Sequence, residues 1–204
     1  MTSQIAFPLA KKLFWWCVPF GKEHTQRVDS WSESQVWRFT APADVVFEDT
    51  NTRSTLSIGS IYNAVTMKPS DYNLVVNCCP SEKKIEHPNM IEVDLQDTNH
   101  ITLNAQQLDN VLERCRVIMK ETPKARVLVH CWMGASRSCA VACYICCRLY
   151  GPTMVGPRDW DFFYQEFKKH RPSINVSCQL KNQVIALLGA HQQRQTSESK
   201  TKQD

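Results

Sequence analysis

Apolar residues in this chain gather in short runs of two kinds, and the two kinds take turns along the sequence. "NLVVNCC" at 73–79 is nearly continuous and stops at Pro80, as a strand buried on both faces does. "RVLVH" at 126–130 is a second run of that type. "DVVF" at 44–47 and "STLSIG" at 54–59 predict two shorter strands. "MIEVDL" sets Ile91, Val93 and Leu95 against Glu92, Asp94 and Gln96, the alternation of a strand with one buried face.

The other runs have the helical period. Leu108, Val111, Leu112, Cys115, Ile118 and Met119 share one face, which predicts an amphipathic helix. Asn104 followed by Gln107 resembles a capping box that starts it, and Pro123 ends it. "CAVACYICCRLY" at 139–150 is apolar on nearly all sides, so that helix is expected inside the domain. Two more helices fit 159–170, through Trp160, Phe163 and Phe167, and 178–189, through Leu180, Val184, Ile185 and Leu188. Strands alternating with helices predict an α/β domain, a central, mostly parallel twisted sheet flanked by helices. Its expected extent is 44–190. Residues 1–43 show no sustained period and read as a Trp-rich N-terminal extension with a short helix near "WSESQVWRF". Residues 191–204 are polar and are expected to be a disordered tail.

Composition sharpens this only in places. With 43% hydrophobic residues in 204, the chain can build a core of ordinary size. A net charge of +4 is too mild to imply nucleic-acid binding. Ten cysteines would suit a disulfide scaffold, but most lie inside apolar runs. They read as buried thiols of a reducing compartment, and the expected location is intracellular, cytoplasmic and nuclear. Cys143, Cys146 and Cys147 have neither a second pair nor a nearby His to complete a metal set, so no metal or cofactor is expected. "LFWWCVPF" at 13–20 is too short to span a bilayer. It could touch a membrane surface or a partner weakly, or pack back onto the domain, which its adjacent tryptophans favour.

The candidate chemistry lies in "VLVHCWMGASRSCA", 127–140. On the predicted scaffold Cys131 ends a central strand and Arg137 begins a buried helix, with residues 132–136 between them. Ligands of open α/β sheets bind at this edge. Free N–H groups at a helix start, together with a short loop curled about one point, make an anion site. Gly134 permits the curl, and the Arg137 fork matches two phosphate oxygens. The same field lowers a thiol pKa, to roughly 3.5–7.5 at such places. Cys131 is therefore expected to be a thiolate nucleophile. Ser138 could hydrogen-bond the sulfur and help it leave. His130 is expected to be structural, its ring fixing the loop, because a thiolate needs no base.

His130, Cys131, Gly134, Ser136, Arg137 and Ser138, following "VLV", resemble the signature of cysteine-dependent protein tyrosine phosphatases in the form used by dual-specificity phosphatases. "STLSIGSIYNA", "VVNCCPSE" and "RPSINVSCQL" are similar to further elements of that family, over 44–190. The resemblance implies a protein tyrosine phosphatase-like fold, no cofactor, and a phosphate loop of Trp132, Met133, Gly134, Ala135, Ser136 and Arg137. It also implies a general acid on an earlier loop. Asp97 fits that place in "VDLQDTNHITLN", and Asp94 is the rival, expected inside the strand.

The implied activity is hydrolysis of phosphotyrosine and of phosphoserine or phosphothreonine through a cysteinyl-phosphate. Partners by analogy are phosphorylated proteins, mitogen-activated protein kinases among them. "WMGAS" has no lysine of the kind inositol-lipid phosphatases carry there. An RNA 5′-triphosphatase and a phosphoprotein-binding module with little turnover remain as alternatives. Trp132 departs from the small or polar residue expected, and could either line the pocket mouth or pack on a helix. Cys79 or Cys78, if carried to the same sheet edge, could form a reversible disulfide with an oxidised Cys131.

Overall fold

The computed structural model describes residues 32–82, 84–95, 102–151 and 159–201, with side chains up to His191 except those of Glu33 and Trp37. Its strands are β1 (Asp44–Glu48), β2 (Thr55–Ser60), β3 (Leu74–Asn77), β4 (Met90–Glu92) and β5 (Arg126–Cys131). The helices are α1 (Glu33–Thr40), α2 (Ile61–Thr66), α3 (Ala105–Glu121), α4 (Arg137–Tyr150), α5 (Trp160–His170) and α6 (Cys178–Thr201).

The five strands form one sheet in the order β1-β2-β5-β3-β4. β2, β5, β3 and β4 run parallel, and β1 is an antiparallel edge with a register shift between Val45 and Phe47. β5 enters last, between β2 and β3, so the strand order reverses there. That reversal opens the crevice in which α/β sheets hold ligands, beyond the strand carboxyl ends. Strands in the middle of such a sheet are covered on both faces. All four residues of β3 and all but the first of β5 are buried accordingly.

α4 is the helix around which the others gather. It lies against β5 and β2 and touches α3, α5 and α6. Twelve of its fourteen residues are buried, which is why no polar stripe interrupts its sequence. α3 has the predicted face, with Leu108, Val111, Cys115 and Met119 buried. Asn104 caps it, Oδ1 accepting from the N–H of Gln106 (2.9 Å) and of Gln107 (3.2 Å).

Three departures from the sequence reading matter. The β4 ladder stops at Glu92, because the Val93 N–H makes the last bond to Asn77 O and Leu95 N–H then turns back onto Val93 O. Asp94 is thus exposed beyond the strand rather than inside it. α6 continues to Thr201, past the point where a polar tail is expected. Nothing after Gly189 breaks a helix, and Gln, Arg, Glu and Lys there are good helix formers. Finally, residues 32–43 are built into the domain: Val36 and Phe39 are in its core, and α1 packs on α2. The stretch 13–20 lies outside the described residues. Among the described residues no helix is long and apolar enough to cross a membrane.

Candidate active site

β5 delivers Cys131 to the carboxyl edge of the sheet, and α4 starts at Arg137. The chain between must reverse within a few residues. Gly134 makes the reversal, with φ at +66°. A Cβ there would lie 2.5 Å from Gly59 O and 2.9 Å from Arg171 Nη2. Both the backbone angle and the close approach to β2 therefore require glycine.

The loop carbonyls are all turned onto the body of the protein. Trp132 O accepts from Ile61 N–H at 3.2 Å, and Ala135 O from Asn175 N–H at 3.0 Å. Arg171 holds the middle: its Nε donates to Gly134 O (2.8 Å) and its Nη2 to Met133 O (3.4 Å). Arg171 is itself buried and fixed by an ion pair of 2.6 Å with Asp44. In a trans peptide the N–H points opposite to the C=O it follows. Carbonyls drawn outward thus aim the loop amides inward, about the sulfur of Cys131.

Cys131 is 2% exposed. Burial alone would raise its pKa; against it work the Arg137 guanidinium, the Ser138 hydroxyl, and the N–H groups of Ser138 and Ala135. The opposing effects win, and the thiol pKa lies below its ordinary value. Ser138 Oγ is 3.3 Å from the sulfur. Arg137 is also buried, and Nη1 donates both to Glu82 Oε1 and to Leu95 O, each at 2.8 Å. Burial works against its charge, but Cys131 and Glu82 together push its pKa up.

The remaining residues singled out in the sequence occupy definite places. His130 is fully buried, and the Cys131 backbone is a hydrogen-bonding neighbour of its ring. Its carbonyl ties β5 to the end of β3, accepting from Cys78 N–H at 2.9 Å. Burial pushes the imidazole pKa down to about 3, aided by Arg137 and opposed by the Cys131 backbone. Cys78 and Cys79 follow β3, next to β5, and both are buried. Burial raises both thiols, and the charge of nearby Cys131 raises them further. The ring of Trp132 is not at a pocket mouth. It is 3% exposed and tilted against Phe39 of α1, centroids 5.6 Å apart. Met133, Ala135 and Ser136 are half-buried. Asp97 lies outside the described residues. Leu95, at the near end of that loop, is the residue whose carbonyl Arg137 holds.

Sequence reasoning missed Arg171, Glu82 and Phe39. Arg171 and Glu82 sit inside "RPSINVSCQL" and "VVNCCPSE", but nothing local tells which way a charged side chain turns. Both turn inward because a loop full of unpaired carbonyls and a buried guanidinium await them.

Solved structures resemble this fold over about three quarters of the chain. A variant of human DUSP28 superposes with a TM-score of 0.60 and 20% identity, over 75% of this chain and 98% of its own. A mouse putative dual specificity phosphatase crystallised with zinc tungstate gives 0.59 and 19%, over 75% and 90%. DUSP15 gives 0.55 and 16%, over 77% and 96%. The chain has the fold of the dual-specificity phosphatases. No family model and no curated protein matches it by sequence. That fold has a mixed five-stranded sheet flanked by helices, as this chain does.

The buried imidazole has a measurable consequence. His130 takes a proton in the unfolded chain near pH 6.5 but refuses it when folded until about 3. The unfolded state thus binds more protons in that window, and stability falls as pH falls, by up to about 1.4 kcal/mol per unit. Urea unfolding between pH 7 and 4 should show a shallower pH slope for His130→Gln than for the wild type.

Proposed function

We propose that this chain is a cysteine-dependent protein phosphatase of dual specificity. The observation that carries the reading is a buried sulfur of lowered pKa that takes the N–H groups of Ala135 and Ser138, with a buried arginine beside it. That arrangement binds a tetrahedral dianion and presents a nucleophile beneath it.

Cys131, as thiolate, attacks phosphorus in line. The bond from phosphorus to the leaving oxygen breaks, and Asp97 gives that oxygen its proton. Arg137 and the amides of residues 132–137 hold the three equatorial oxygens through the transition state. Water then attacks the cysteinyl-phosphate, Asp97 takes a proton from it, and the sulfur leaves as thiolate with the Ser138 hydroxyl at hand. Arg137 also holds Leu95 O, two residues before Asp97 in the sequence.

The substrate reading follows from charge. Trp132, Met133, Ala135 and Ser136 bring no cation to the loop, and Glu82 places a carboxylate against Arg137. A single phosphate suits this site better than a polyphosphate or an inositol headgroup. Phosphorylated proteins are the proposed substrates, mitogen-activated protein kinases among them by analogy with the resembled family.

Cys79, with Cys78 beside it, is proposed as the redox partner of the nucleophile. Peroxide would oxidise Cys131 to a sulfenic acid, and the neighbouring thiol would displace water from it to form a disulfide. Mass spectrometry after peroxide treatment should find the Cys131 peptide linked to the peptide of Cys78 and Cys79. A Cys131 found only as sulfinic or sulfonic acid would remove the partner.

Phosphate release is the decisive assay, from phosphothreonine and phosphotyrosine peptides and from 5′-triphosphorylated RNA. Both peptides should turn over, RNA should stay inert, and Cys131→Ser should bind peptide without releasing phosphate. Asp97→Asn should lower kcat by about 10²–10⁴ and remove the fall in rate on the alkaline side. Turnover of RNA alone would make this a triphosphatase. Binding without turnover by the wild type would make it a phosphoprotein-binding module.

A further inference from the structure

The N-terminal segment of a chain is easily dismissed as an appendage, and here it reaches the phosphate loop. Phe39 is fully buried, and its ring lies against both Trp132 (5.6 Å) and Tyr62 (6.1 Å). Its carbonyl accepts from Ser60 Oγ at 2.5 Å, and two residues on Ala41 O accepts from Asn63 Nδ2 at 2.8 Å. Ser60 is the register partner of Cys131 across β2 and β5. The next residue, Ile61, donates its N–H to Trp132 O. Trp132 is thus gripped at both ends, its carbonyl by α2 and its ring by α1.

Trp132 is the first residue after Cys131. Its backbone sets where the loop leaves β5 and hence where the following amides point. A small residue at this position would leave that departure to the backbone alone. A tryptophan makes it depend on whatever packs on the ring, and Phe39 does so. We infer that Phe39 is a positioning residue for the phosphate loop, acting through Trp132, and that α1 serves the anion site through this one side chain. The inference rests on the phosphatase reading, since it assigns Phe39 a share in holding the loop around the Cys131 sulfur.

Val36 supplies the control. It is buried on the same helix, 5% exposed, and, being aliphatic, stands outside the aromatic contact between Phe39 and Trp132. The experiment is the pH dependence of Cys131 alkylation by iodoacetate, located by peptide mass spectrometry, with protection by inorganic phosphate measured alongside. Wild type, Phe39→Ala, Phe39→Leu and Val36→Ala are compared, each with its melting temperature. Phe39→Ala should raise the apparent thiol pKa by about one unit and weaken phosphate protection by about tenfold. Phe39→Leu, which keeps most of the volume, should fall between it and the wild type. Val36→Ala should lose stability yet keep the wild-type titration and protection.

Wild-type titration in both Phe39 variants would overturn the inference, as would a shift in Val36→Ala equal to that in Phe39→Ala. Should Phe39→Ala fail to fold, Phe39→Leu decides alone. Alkylation needs no turnover, so the two readings separate. A wild-type sulfur that titrates as an ordinary thiol overturns the phosphatase reading and this inference with it. A shifted wild type with unmoved variants overturns the inference only.

Discussion

The attraction between a buried sulfur and a buried guanidinium is the interaction on which the rest of this structure is built. Placing either charge out of water costs several kcal/mol. Cys131 is 2% exposed and Arg137 4%, so each depends on the other and on the dipoles around them. Burial is the largest influence on the Cys131 pKa and acts to raise it, yet the value is lowered. The oriented groups around the sulfur must therefore outweigh the effect of burial together. None of them does so alone, which makes the precision of the loop a requirement rather than a refinement.

That precision comes from the outside of the loop. Ile61 N–H, Arg171 and Asn175 N–H take its carbonyls, and the N–H groups of Ala135 and Ser138 serve the sulfur. Arg171 is charged, and hydrogen bonds from a charged donor contribute about 1.5–3 kcal/mol each. Its pairing with Asp44 anchors the β5–α4 junction to the edge strand β1. Glu82 and Leu95 do for Arg137 what Arg171 does for the loop. The elements that meet here, from α1 to the start of α6, are far apart in sequence. The insertion of β5 between β2 and β3 is what brings their ends to one edge.

Much of this was legible from residue pattern. The runs at 73–79 and 126–130 read as central strands because burial on both faces leaves no room for alternation, and they became β3 and β5. The helix after Arg137 was recognisable by its missing polar face. The spacing of Cys131, Gly134 and Arg137 placed a strand, a curl and a helix start correctly. The sheet order was not legible, since any of several orders buries the same residues. Nor was the membership of residues 32–43 in the domain, because α1 is a short helix and Phe39 packs on Tyr62 and Trp132, far along the chain. Asp94 was read into a strand because alternation persists for three residues after the ladder ends: Val93 and Leu95 stay buried while the backbone has already turned away. Asp97 lies outside the described residues, and its proposed role comes from the resemblance.

The claim at the centre of this account is that Cys131 becomes covalently phosphorylated during turnover. The most direct measurement is rapid acid quenching of the protein while it hydrolyses a phosphopeptide, followed by digestion and peptide mass spectrometry. A peptide spanning Cys131 should appear within the first turnover, heavier by one phosphoryl group localised to the sulfur, and be lost when substrate is exhausted. Phosphate release with no phosphoryl on Cys131 at any quench time, or with the phosphoryl on another residue, would contradict the claim.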